Sequence, residues 1–171
     1  MTLSDQELFA LDGQGLEPIL IQISSRLLAR CEMLATAESC TGGLIAAACT
    51  ALAGSSLWFE RGFVTYSNAA KAELLGVPAP LIDAHGAVSE PVARAMAEGA
   101  VARSHAQASL AVTGVAGPGG GSADKPVGTV WFGWHAAGRT HSEVRHFAGG
   151  RAQVRAATVQ HALARLLALL G

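Results

Sequence analysis

The chain has 171 residues, 50% of them hydrophobic and 15% charged, with 12 basic side chains against 13 acidic ones and a formal net charge of −1. That length suits one domain with a sizeable core, and so much apolar content excludes a disordered chain. Lys and Arg are scattered rather than gathered into a stripe, so no nucleic-acid partner is expected. No run of about 18 apolar residues suggests a membrane span. The acidic residues Asp5, Glu7, Asp12 and Glu17 are the wrong charge for a signal or transit peptide, so the cytoplasm is the expected compartment. Cys31, Cys40 and Cys49 lack CxxC spacing, and the six histidines include no HExxH pair. His141 and His146, five apart on an expected strand, would point to opposite faces. Neither a disulfide framework nor a bound metal is expected.

Leu16, Ile19, Leu20, Ile23 and Leu27 recur at helical spacing and predict a first helix reaching about Cys31. Residues 33–37 are short and apolar enough for a buried strand. A second helix is expected from near Thr41, with Leu44, Ala47, Ala48, Ala51 and Leu52 on one face. Residues 59–66 read as a strand, followed by a helix capped by Asn68 and ended near Gly76, Val77 and Pro78. Ser89, Glu90 and Pro91 open another helix, with proline early in it. Residues 108–112 form a continuous apolar run of buried-strand character. Residues 127–136 and 140–147 form a hairpin around Ala137, Gly138 and Arg139. Val159, Leu163, Leu166, Leu167 and Leu170 make the apolar face of a closing helix. Strands alternating with helices, then a hairpin and a helix, predict a three-layer α/β/α sandwich with a mixed sheet, one domain over residues 1–171. No repeat or linker interrupts it, and the alanine-rich surface leaves a homo-oligomer open.

Three polar clusters follow predicted strands, where an open α/β sheet gathers its ligands. The first runs Glu38, Ser39, Cys40, Thr41, Gly42, Gly43. A small-residue turn opening a helix offers N–H groups to an oxyanion or phosphate. Ser39 there is either a nucleophile on a sharp turn or a helix cap, and Glu38 either a surface carboxylate or an anchor for the turn. The second cluster contains Tyr66, Asn68 and Lys71. In the first turn of a helix the dipole disfavours an ammonium, and burial would add to that; both lower a lysine pKa, as a general base requires. A solvent-facing Lys71 is the other reading, and Tyr66 could relay a proton or fill the core. The third cluster, from Thr113 and Gly114 to Ser122, is a glycine-rich loop that matches neither the P-loop nor the dinucleotide fingerprint. Cys40 is a further candidate nucleophile, weakened by the lack of a histidine at recognisable spacing.

The blocks TAESCTGG (36–43), GSS (54–56), FVTYSNAAK (63–71), HGAVSEPVA (85–93), TGVAGPGGGSADKPVGTV (113–130) and GGRAQVR (149–155) resemble the CinA C-terminal family. The resemblance runs from about Leu16 to the C-terminus. It implies a nucleotide-amide hydrolase that converts nicotinamide mononucleotide to nicotinate mononucleotide and ammonia without metal or organic cofactor. It also implies Ser39 as nucleophile, Lys71 as base and Tyr66 as its assistant. Ser56, Thr113 and an arginine, Arg151 or its neighbour Arg155, would line the substrate site, with the turn at Thr41 and Gly42 and the loop at Gly114 beside them. Where many relatives carry two glycines, this chain has Arg61 and Gly62. A non-catalytic ligand-binding or regulatory domain of the same fold is the alternative.

Overall fold

The computed structural model describes residues 13–171; Asp5, Glu7 and Asp12 lie outside them. In chain order the elements are α1 (Gly13–Ala29), β1 (Leu34–Glu38), α2 (Leu44–Ala51), β2 (Phe59–Val64), α3 (Asn68–Leu75), α4 (Ala79–His85), α5 (Glu90–Ala102), β3 (Ala108–Gly114), β4 (Thr129–Ala136), β5 (Arg139–His146) and α6 (Arg151–Leu169). The strands make one mixed sheet in the order β2-β1-β3-β4-β5. β1 runs parallel to β2 and β3, while β4 is antiparallel to β3 and β5. Helices cover both faces, so the expected three-layer α/β/α sandwich is the one found. Among the described residues no helix is long and apolar enough to cross a membrane.

Every residue of β1 is buried, because helices pack on both sides of it. Period-two alternation divides its side chains between two cores. Leu34, with Leu110 and Val112 of β3, joins the core under α1, α2 and α6. Ala35, Ala37 and Ala111 face the smaller core under α3, α4 and α5. Small side chains on that second face bring the layers close: a Cβ at Gly133 of β4 would lie 2.3 Å from the Ala93 carbonyl oxygen of α5.

Three boundaries differ from expectation. α2 starts at Leu44 rather than near Thr41, since Gly42 and Gly43 have φ of +61° and +101° and form a left-handed turn first. The cap of α3 is Ser67 and not Asn68: Ser67 Oγ accepts from Ala70 N at 3.0 Å, and Asn68 is the first helical residue. α4 was not expected, because seven residues, Pro80 among them, are too few to display a helical period. The hairpin turns on Ala137 and Gly138, both at positive φ, as a two-residue turn between right-twisted strands requires.

Candidate active site

β1 delivers two consecutive polar residues to opposite faces of the sheet. Glu38 points toward α2 and is 1% exposed. Its carboxylate accepts from Thr41 Oγ1 at 2.6 Å and from the amides of Gly43, Ile45 and Ala46 at 3.0, 3.0 and 2.8 Å. It therefore occupies the N-terminus of α2, where free N–H groups and the dipole favour an anion. This redirects the anion site expected there. Gly42 N–H donates to Ser39 O at 3.1 Å, which leaves the amides of Cys40 and Thr41 without a backbone acceptor among the described residues. The Thr41 side chain is buried and spent on Glu38, and neither Thr41 nor Gly42 lines the cleft described below.

Ser39 continues the alternation toward the α3 face, and there it meets Lys71. Lys71 and Leu75 are four apart on α3 and share its inner side. Leu75 belongs to the second core, and Lys71 is drawn in with it to 1% exposure. Lys71 Nζ donates to Thr65 O at 2.9 Å and lies 3.1 Å from Ser39 Oγ. Burial holds the Lys71 amine below the ordinary lysine range, against a smaller opposing effect of Cys40. Burial also pushes the Cys40 thiol up to about 11, which disfavours the thiolate a cysteine hydrolase would need.

The two residues open into a cleft of about 230 Å³ at the carboxyl ends of β1, β2 and β3, lined also by Cys40, Tyr66, Asn68, Ala87, Val88, Thr113, Gly114, Ala116 and Arg151. The crossover from β1 to β2 uses one face and that from β2 to β3 the other, so the crevice lies where such sheets bind ligands. Thr113 Oγ1 donates to Ala87 O at 2.9 Å, tying β3 to the α4–α5 connection. Tyr66 is 62% exposed at the mouth, and its hydroxyl pairs with Arg151 Nη2 at 3.0 Å rather than with Lys71. Arg151, the first residue of α6, also donates through Nη1 to Gly117 O at 3.0 Å. Arg155 does not line the cleft; its Nη2 donates to Thr41 O at 2.9 Å.

Ser56 is not brought to the cleft. It lies on the short turn Ser55–Leu57 before β2, and β2 runs parallel to β1, so it sits at the opposite end of the strands from Ser39. Among the described residues no three His, Cys, Asp or Glu side chains are grouped to hold a metal. Asn68, expected as a cap, also lines the cleft, and Ala87, Val88 and Ala116 line it without having been singled out. Their only signal was membership in the long sequence blocks, because apolar and backbone-mediated lining leaves no chemical signature of its own.

A family model described as the CinA C-terminal domain matches residues 16–170. The chain is 58% identical over 134 residues to the nicotinamide-nucleotide amidohydrolase PncC of Pseudomonas putida, covering 78% of this chain and 84% of that protein. It is 50% identical over 148 residues to the protein of the same name from Escherichia coli strain K12, covering 85% and 88%. A putative competence-damage inducible protein of Symbiobacterium thermophilum is 54% identical over 158 residues, but the match spans only 37% of that longer protein. Among solved structures, the competence/damage inducible protein CihA of Agrobacterium tumefaciens superposes with a TM-score of 0.88 at 47% identity, covering 92% of this chain and 96% of that one. The chain belongs to the CinA C-terminal domain family.

Proposed function

We propose that this protein hydrolyses the carboxamide of nicotinamide mononucleotide, yielding nicotinate mononucleotide and ammonia, with Ser39 as nucleophile and Lys71 as its base. The names of the Pseudomonas and Escherichia relatives support the substrate. The observation that carries the mechanism is the buried Lys71 amine 3.1 Å from Ser39 Oγ. A lysine held below its ordinary pKa is neutral often enough to accept a serine proton.

Ser39 Oγ attacks the amide carbon while its proton passes to Lys71. The tetrahedral oxyanion meets the amide of Cys40, which lines the cleft and is a donor that needs no reorganisation. As the C–N bond breaks, the departing nitrogen takes the proton from Lys71 and leaves as ammonia. Tyr66, at the cleft mouth, is the group to assist that transfer. Water, deprotonated by Lys71, then attacks the Ser39 ester, and the carboxylate departs as the proton returns to Ser39 Oγ. No metal or organic cofactor enters these steps. The cleft is smaller than the roughly 300 Å³ lower bound of drug-sized sites, so the pyridine ring enters and the phosphate stays at the mouth, near Arg151.

Ammonia release from nicotinamide mononucleotide by the purified protein tests this. Ser39→Ala should remove nearly all turnover, while Cys40→Ala should leave a folded, working enzyme. A protein that binds the nucleotide without releasing ammonia would overturn the reading in favour of a ligand-binding domain. Activity lost in Cys40→Ala and kept in Ser39→Ala would overturn the choice of nucleophile.

A further inference from the structure

Thr65, between β2 and α3, is fully buried, and its backbone links the two halves of the site. Its N–H donates to Glu38 O at 2.8 Å, the carbonyl just before Ser39. Its own carbonyl accepts from Lys71 Nζ at 2.9 Å. Its hydroxyl is different: Oγ1 is buried and has no hydrogen-bond partner among the described residues. Buried hydroxyls are nearly always paired, and leaving one unpaired carries a desolvation penalty that an apolar residue of the same shape would avoid.

Lys71 has the complementary shortage. Among the described residues its amine is engaged by Thr65 O and Ser39 Oγ alone. A neutral amine tolerates an idle N–H, but the ammonium formed on taking the Ser39 proton has three donors and is far costlier to leave under-bonded in a buried place. One idle acceptor therefore belongs to the residue whose carbonyl already holds the amine that lacks one. We propose that Thr65 is a positioning residue for the base: its carbonyl holds Lys71 on Ser39, and its hydroxyl accepts the third N–H of the Lys71 ammonium during turnover. The titratable groups sharing the cleft with Lys71 are Cys40, Tyr66 and Arg151; β3 and the α4–α5 connection contribute none. The proposal rests on Lys71 being the base, and it adds the group that stabilises its protonated form.

The chain makes the test direct, because Lys71 and Lys125 are its only lysines. Protein carrying ¹³C,¹⁵N-lysine gives two side-chain signals, assigned with Lys125→Arg, and each is titrated by NMR in the parent protein, Thr65→Val, Thr65→Ala and Thr65→Ser. Losing the hydroxyl should lower the Lys71 midpoint by about one pH unit, a tenfold loss of proton affinity, and leave Lys125 unmoved. Thr65→Ser should restore the parent value. Because Oγ1 bonds none of the described residues at rest, Thr65→Val should be no less stable than the parent. Its kcat should nevertheless fall several-fold, with KM unchanged and the acid limb of the pH profile moved the same way. An unchanged Lys71 midpoint in either folded variant, Thr65→Val or Thr65→Ala, overturns the proposal. The NMR readout needs no turnover, so an inactive parent protein would overturn the amidohydrolase reading while leaving this one to be decided by the titration.

Discussion

At the scale of single residues, the cleft separates two arginines that lie one helical turn apart. Arg151 faces the cleft and bridges Tyr66 to Gly117, whereas Arg155 is turned onto the Thr41 carbonyl. Only the first is free to meet a dianionic group at the mouth. A charge-assisted hydrogen bond contributes about 1.5–3 kcal/mol, on the order of ten- to a hundredfold in catalytic efficiency. Arg151→Ala should therefore lower kcat/KM for nicotinamide mononucleotide by that factor and narrow its advantage over nicotinamide riboside. The two efficiencies, measured in both proteins, check it. Equal efficiencies in the parent would defeat phosphate recognition, and a ratio unchanged by Arg151→Ala would assign it elsewhere.

At the scale of elements, the positions of α3 and α5 decide whether Lys71 reaches Ser39. α5 lies directly on β4, at the point where Gly133 has no Cβ to hold it off. α3 in turn packs against α5 through the core that contains Leu75 and Met96. An added methyl group at Gly133 meets backbone, not the end of a flexible side chain, so the layers must separate. We expect Gly133→Ala to cost about 1–3 kcal/mol, seen as a lower urea midpoint with an unchanged slope. A midpoint equal to that of the parent would mean that the layers slide apart freely. Glu38 has the matching role on the other face, fixing α2 through three backbone amides and so fixing the turn that carries Ser39.

At the scale of the whole molecule, burying Lys71 works against folding. The folded-state pKa of Lys71 lies below its unfolded value, with desolvation as the main cause. Below about pH 10.4, the ordinary lysine value, the unfolded chain binds a proton that the folded chain resists. Stability is therefore lost as pH falls from there toward the folded pKa, and is recovered as pH rises. Lys71→Met keeps the volume and removes the conflict. It should abolish ammonia release yet stabilise the protein by about 0.5–2 kcal/mol at neutral pH, with a gain that shrinks toward pH 10. Urea unfolding of both proteins at pH 7 and pH 10 measures this. A destabilised Lys71→Met at pH 7 would show that the amine's hydrogen bonds outweigh its desolvation. With Lys71 as the proposed base, activity should fall as pH drops through its pKa, because a base works in its neutral form.

Much of this architecture was legible in the chain, because burial imposes periodicity. The apolar runs of β1 and β3, the helical spacing of α1 and α6, and the hairpin at Ala137 and Gly138 are each written within a few neighbouring residues. The glycine pair after Ser39 was visible too, though on local pattern alone Ser39 read more readily as a cap and Lys71 as a surface residue. Tertiary structure alone decided that Lys71 is buried and not on the surface, since its burial depends on Leu75 meeting a core built largely from β1, α4 and α5. It also decided that Glu38, and not a ligand, fills the end of α2, that Ser56 lies at the far end of the sheet, and that the Thr65 hydroxyl is left without a partner. Ser39 and Lys71, 32 residues apart, meet only through the fold, and the places of Ser56 and Thr65 follow from strand pairing, which composition and local spacing do not encode.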